Sequence, residues 1–226
     1  MNSVIDQTEL VARVVTCPSE IERLRWFQTL RYVESGLLQT RPVHLPDDPL
    51  VAASCYFAVY AGDDIKATAR IVRSPELSLL KHHQIYPAVQ QRLDAEAGSI
   101  GEIGRLAVAP KTPNLRALAL LCREFMRYGV RHQNAVTLVA SIGQPLIRIV
   151  NRVLGVPLDV IGPAIDQFGD FHEETLPVMI DTVECLSKLL QNDSPRWEFY
   201  SEGLVIDLTE EVGVSYQTDD LALAAI

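Results

Sequence analysis

Two apolar, β-rich runs, Ser54 to Ala61 (SCYFAVYA) and Ile65 to Ser74 (IKATARIVRS), are separated only by Gly62-Asp63-Asp64. A short Gly/Asp turn between such runs predicts a β-hairpin, which makes consecutive strands antiparallel. A third strand, Ile100 to Ala109 (IGEIGRLAVA), follows a helical excursion around Tyr86 to Ala97. Around this unit the pattern reads strand at Glu9 to Cys17 and helix from Pro18, with Ser19 as N-cap and Glu22 completing a capping box. Thr40 to Pro49, with three prolines and two aspartates, reads as a loop. After the third strand come a helix from Asn114 (its N-cap) to His132, a strand at Ala135 to Ser141, and a short helix at Pro145 to Leu154 ended by Gly155. Val156 to Gly162 and Glu174 to Thr182 are two further strands, and Val183 to Gln191 is a helix. Consecutive antiparallel strands followed by alternating elements imply an α+β (mixed α/β) fold with a central, mostly antiparallel sheet flanked by helices.

The chain has 226 residues, 48% of them hydrophobic and 22% charged, which is a globular composition. Residues 1–192 are expected to form the main domain, and 193–226 an acidic C-terminal extension that Trp197, Phe199 and Tyr200 partly anchor. A formal net charge of -9 disfavours nucleic acid as a bulk partner and disfavours a generic anionic-membrane surface. The segment MNSVIDQTEL has no leader pattern, and no stretch is long and apolar enough for stable membrane insertion, so the expected location is cytoplasmic. Four widely spaced cysteines (Cys17, Cys55, Cys122, Cys185) then read as reduced thiols, with no metal site expected.

The charge is unevenly spread. From Arg105 to His132 six Lys/Arg face a single acid, Glu124, a local +5. At about 100° per residue, Arg116, Arg123, Arg127 and Arg131 form one stripe, with Leu118, Leu121, Cys122, Phe125 and Gly129 opposite. The expectation is an apolar stripe on the sheet and arginines facing out. Such a stripe is either a solvated face or a docking surface for an acidic partner. Cys122, on the apolar side, is a packing thiol.

The third strand carries the chemistry. A buried strand normally excludes Glu and Arg, yet Glu102 and Arg105 lie within it beside two glycines. Strict alternation puts the two on opposite faces, and a bulge near Gly104 would bring them toward one side. The alternative is an edge strand with an incidental ion pair. The pair His82-His83 reads as surface histidines.

Glu-Ile-Gly-Arg-Leu-Ala-Val (residues 102–108) resembles the Glu-x-x-Arg-x-x-Val strand of acyl-homoserine-lactone (autoinducer) synthases and of long-chain N-acyl amino acid synthases, both of the GNAT acyltransferase superfamily. Ala67 to Val72 (ATARIV) resembles their hairpin strand, Arg31 to Leu37 the end of their first helix, and His44 to Asp48 occupies the place of an acidic cluster. The similarity spans roughly Leu10 to Thr182.

The resemblance implies an N-acyltransferase moving a fatty acyl group from an acyl-phosphopantetheine thioester to a small-molecule amine, with an amino acid as the expected acceptor. No bound cofactor is implied. Glu102 would accept the amine proton, while Arg105 and Arg70 hold the acceptor carboxylate or fix Glu102. Asp47 and Asp48 would grip the amine, with a plain Pro/Asp turn as the other reading. Leu106, Ala107, Val108, Lys111, Asn114 and Arg116 would bind the donor. The superfamily's Gly-rich phosphate loop is replaced by Lys111-Thr112-Pro113-Asn114-Leu115-Arg116-Ala117, which favours acyl carrier protein over acyl-CoA as the donor. Arg123, Arg127 and Arg131 would then dock the carrier protein. The competing readings are an acyl-homoserine-lactone synthase, a CoA-dependent acetyltransferase, and a catalytically silent GNAT-like binding module.

Overall fold

The computed structural model describes residues 9–45, 47–73, 77, 79–110, 114–131, 136–166, 174–192 and 194–202. Strand β1 (Leu10–Val15) pairs antiparallel with β2 (Ser54–Ala61), β2 with β3 (Asp64–Arg73), and β3 with β4 (Ile100–Val108). Strand β5 (Thr137–Ile142) then runs parallel to β4. A two-residue β6 (Asp159–Val160) and β7 (Leu176–Asp181) complete a seven-stranded sheet of order β1-β2-β3-β4-β5-β7-β6. All neighbours except β4 and β5 are antiparallel. The hairpin turns at Gly62, whose φ of +57° is a left-handed conformation that glycine adopts without a side-chain penalty.

Seven α-helices cover the sheet among the described residues: α1 (Pro18–Glu34), α2 (Leu79–His82), α3 (Pro87–Ala95), α4 (Asn114–Arg131), α5 (Gln144–Arg148), α6 (Thr182–Gln191) and α7 (Arg196–Ser201). The alternation of strand side chains sorts them into two layers. On one face Phe57, Ala69 and Ile71 pack with Leu121 and Phe125 of α4, Leu186 of α6 and Tyr200 of α7. The Phe57 ring meets Phe125 and Tyr128 edge-on, each at 5.4 Å. On the other face Tyr56, Ala58 and Tyr60 pack with Leu24 of α1. Beside them Ile100, Val139 and Met179 pack with Leu77, Leu79 and Leu93 around α2 and α3.

Three local expectations change. Helix α1 is entered through Cys17 as N-cap with Pro18 in the first turn, and no side chain caps it. Proline's fixed φ suits the first helical position, so the helix begins before Ser19 can cap it. The helix before Gly155 is α5 followed by a π-helical turn, Ile149–Leu154, closed by Gly155 at φ +73°. Asn114 is the first residue of α4, while 111–113 and the Asn114 side chain lie outside the described residues.

The C-terminal residues pack more closely than their sequence suggests. Tyr200 is buried in the main core, and its hydroxyl donates to the Leu154 carbonyl at 3.1 Å. Residues 203–226 lie outside the described residues.

Candidate active site

The parallel neighbours β4 and β5 stay together only from Ile100↔Thr137 to Ile103↔Ala140. Beyond that point β4 continues to Val108 along β3, while β5 continues to Ile142 along β7. The sheet therefore opens between residues 104–108 and 141–142. The Ala109 N–H donates to the Lys66 carbonyl on β3 at 2.8 Å. By alternation, the backbone groups of Leu106 and Val108 turn the other way, toward the opening.

A bulge marks the same place. Arg70 pairs with Gly104 and Thr68 with Ala107, so Arg105 and Leu106 together oppose the single residue Ala69. The extra residue puts Ala107, rather than Leu106, on the face of Glu102 and Gly104. Gly104 was the expected site of distortion, but the left-handed conformation falls on Arg105, at φ +59°. It is the one non-glycine residue with positive φ among the described residues. That conformation costs about 1–2 kcal/mol for an L-residue, which marks the position as one where strain is retained.

Glu102, Arg70 and Asp48 come together on the α1 side of the sheet. Glu102 is 7% exposed, and its Oε2 accepts the Leu79 N–H at 2.8 Å. Arg70 is 6% exposed and ion-paired with Asp48, while the other Asp48 oxygen accepts the Leu50 N–H at 3.1 Å. The loop aspartate thus roofs the strand arginine. Asp47, its neighbour, is exposed. Arg105 is exposed, and its charge acts on the Tyr32 hydroxyl from α1. That hydroxyl donates to the Leu106 carbonyl at 3.1 Å and ties the end of α1 to the open half of β4. Burial pushes the Tyr32 phenol up to about 12, against the opposing pull of Arg105, so it stays a donor across the physiological range. Two buried donors on this face, Tyr56 Oη and Arg70 Nε, have no hydrogen-bond partner among the described residues.

Of the donor-binding expectations, Leu106, Ala107 and Val108 line the open half of β4, and Arg116 is exposed on the first turn of α4. Lys111 lies outside the described residues.

The arginine stripe of α4 differs from its sequence reading. Leu118, Leu121, Cys122 and Phe125 are buried as the helical period requires. However, α6 and α7 also pack on α4, and Leu120, Met126 and Val130 are buried as well. Arg123 and Arg127 do not face out freely; their side chains are only 15% and 19% exposed. Arg123 pairs with Glu202 and lies over the Phe199 ring at 5.1 Å, and Arg127 donates to Glu124 at 2.8 Å. Arg116 and Arg131, at the two ends of the helix, are exposed. The C-terminal segment brings an acid and an aromatic ring onto the middle of the stripe, and helical period alone does not foretell that. Among the described residues no cluster of His, Cys, Asp and Glu suits a metal ion, and no helix is long and apolar enough to cross a membrane.

His83 reverses its expectation. It is buried beneath the sheet, with Nε2 2.9 Å from Ser141 Oγ, whose hydroxyl in turn donates to Thr175 Oγ1 at 2.9 Å. Burial lowers the His83 pKa, with His82 adding a smaller push the same way, so the ring is neutral at neutral pH. The three residues are far apart in the chain, and no local pattern links them. His82, beside it, is exposed as expected.

A mostly antiparallel sheet that opens between two parallel neighbours, with helices on both faces, has the architecture of the GNAT acyltransferases. The family described as N-acyl amino acid synthase FeeM matches residues 25–163, and the chain belongs to that family. It is therefore an acyltransferase that transfers an acyl group to an amine. The structure is similar to that of FeeM itself, an N-acyl amino acid synthase from uncultured soil microbes, with a TM-score of 0.60 at 16% identity over 84% of this chain and 98% of that one. It is similar to BjaI, a CoA-dependent acyl-homoserine lactone synthase (TM-score 0.59, 13% identity, 83% and 91% covered). It is also similar to the AHL synthase LasI (TM-score 0.57, 14% identity, 76% and 90% covered). No curated protein matches the sequence.

Proposed function

We propose that this enzyme moves a fatty acyl group from an acyl-phosphopantetheine thioester on acyl carrier protein to the amino group of an amino acid. The observation that carries the reading is the buried Glu102 carboxylate three residues before the bulge at Arg105 and Leu106, where β4 is no longer paired with β5. The thioester enters the opening and lies along Leu106, Ala107 and Val108. The Leu106 and Val108 N–H groups that face it stabilise the oxyanion. Glu102 takes the proton released as the amine attacks the thioester carbon, and the C–S bond breaks to give the amide and the pantetheine thiolate, which recovers that proton from Glu102 to leave as the thiol. Arg70, held by Asp48, and Arg105, held at the bulge, attract the acceptor's carboxylate. The alkyl chain runs toward the apolar cluster of Leu77, Leu79 and Leu93 beside Glu102.

Arg116 and Arg131 are the exposed arginines through which an acidic carrier protein docks, with Arg123 and Arg127 between them. The likeness to BjaI, which is CoA-dependent, keeps acyl-CoA as the second donor to test. The deciding experiment is mass spectrometry of lipid extracts from cells expressing the wild-type protein or Glu102→Gln. An N-acylated amino acid present with the first and reduced about 10²–10⁴-fold with the second is the expected result. Full product from a folded Glu102→Gln protein overturns Glu102 as the base. Supplying purified protein with acyl-carrier protein or acyl-CoA then identifies the donor.

A further inference from the structure

The short helix α2 spans the place where β4 and β5 part. Its first residue, Leu79, donates its N–H to Glu102 on β4 at 2.8 Å. The residue just after it, His83, donates its own N–H to the Leu79 carbonyl at 3.0 Å and turns its ring toward Ser141 on β5, at 2.9 Å. Glu102 pairs with Val139, and the last β4–β5 pair is Ile103 with Ala140, so Ser141 is the first β5 residue past the parting. Two-residue alternation places Ser141 on the same face as Val139 and Glu102. Helix α2 and the residue after it therefore contact a carboxylate on β4 just before the parting and a hydroxyl on β5 just past it.

The surroundings make this more than a filled space. Leu79, Ile100, Val139, Ile161 and Met179 are apolar and buried, and a smaller apolar side chain at residue 83 satisfies such packing without a buried polar group. The Ser141 hydroxyl oxygen bridges His83 Nε2 and Thr175 Oγ1, each at 2.9 Å. The helix is pinned as well. The Tyr86 N–H donates to the Ile161 carbonyl at 2.9 Å, and a Cβ on Gly162 would stand 2.2 Å from the Gln84 carbonyl oxygen.

We propose that His83 is a positioning residue for the transfer step, which through α2 fixes Glu102 and through its ring fixes the Ser141 hydroxyl on the two sides of the entering thioester. This rests on the reading of Glu102 as the base. Loss of the His83 contact loosens both groups by a fraction of an ångström, which lowers the rate of reaction and leaves substrate binding nearly unchanged.

The test is steady-state acyl transfer by wild type, His83→Leu, His83→Gln, Ser141→Ala and His83→Leu/Ser141→Ala, with Glu102→Gln run alongside. His83→Leu is expected to lower kcat about 10–100-fold with the acceptor KM within about twofold. His83→Gln, whose amide nitrogen reaches the Nε2 position, restores kcat to within about threefold of wild type. The double variant is no slower than His83→Leu, because the two residues act as one unit. Wild-type kcat in His83→Leu, or losses that multiply in the double variant, overturn the proposal. If His83→Leu does not fold, Ser141→Ala decides, since it removes one oxygen: lowered kcat at unchanged KM supports the proposal and wild-type kcat overturns it. An active Glu102→Gln beside an impaired His83→Leu removes the base assignment and leaves the role through Ser141. An inactive Glu102→Gln beside a fully active His83→Leu removes the inference alone.

Discussion

The two charged regions of this molecule sit on opposite faces of the sheet and use charge in opposite ways. On the α1 side, Arg70 and Asp48 form a buried pair next to Glu102, at a strand that keeps a strained Arg105. On the far side, α4 carries four arginines, of which the middle two are neutralised by Glu124 and Glu202 and the outer two are exposed. The first region has few charges, all constrained. The second has many, and half of them are neutralised within the chain. Charge density along the sequence therefore overstates the helix and understates the strand pair.

The difference is sharpest in the response to losing one partner. Arg70→Met leaves Asp48 buried without its cation and is expected to cost about 3–5 kcal/mol in urea denaturation, whereas Arg123→Met on α4 costs at most about 1 kcal/mol. Equal costs at the two sites would mean that the Asp48–Arg70 pair is hydrated and that the contrast fails. The strain at the bulge is the next test. Arg105→Gly relieves the left-handed conformation and is expected to raise stability by about 0.5–1 kcal/mol, the gain being cut by the entropy of a freer unfolded chain. At the same time it lowers acyl transfer, because the guanidinium is lost. A protein that is both less stable and fully active would place no functional strain there.

The smallest effect is expected on the helix ends. Reversing Arg116 and Arg131 to Glu leaves thermal stability nearly unchanged and weakens carrier-protein binding several-fold at low ionic strength, with the difference fading as salt screens it. Binding that is unchanged at both salt concentrations removes the docking assignment. Reversing Arg123 instead places three acids together with Glu124 and Glu202, and its effect on binding is mixed with loss of fold.

Much of the sheet was legible beforehand. Gly62-Asp63-Asp64 marks the hairpin, and β2, β3 and β4 lie within a residue or two of where their apolar runs put them. The bulge was legible from the conflict between Glu102, Arg105 and alternation, although its strained residue proved to be Arg105 instead of the glycine beside it. The family motifs pointed to Glu102, Arg70 and the Asp48 loop, and the structure gathers these on one face. His83 was misread because an isolated histidine in an irregular segment carries no period, and its partner Ser141 is 58 residues away. Arg123 was misread because its acid, Glu202, is 79 residues away in a segment with little pattern.

The division follows the range of the forces. Turn chemistry, strand alternation and the helical period act between neighbours, so the sequence by itself determined the hairpin, the third strand with its bulge, and the apolar face of α4. Which strand runs beside which, where β4 leaves β5, and which distant acid meets which arginine depend on how those pieces stack. Only the tertiary structure decided them, because a charge or a hydroxyl is satisfied by whatever the packed core brings within hydrogen-bond reach.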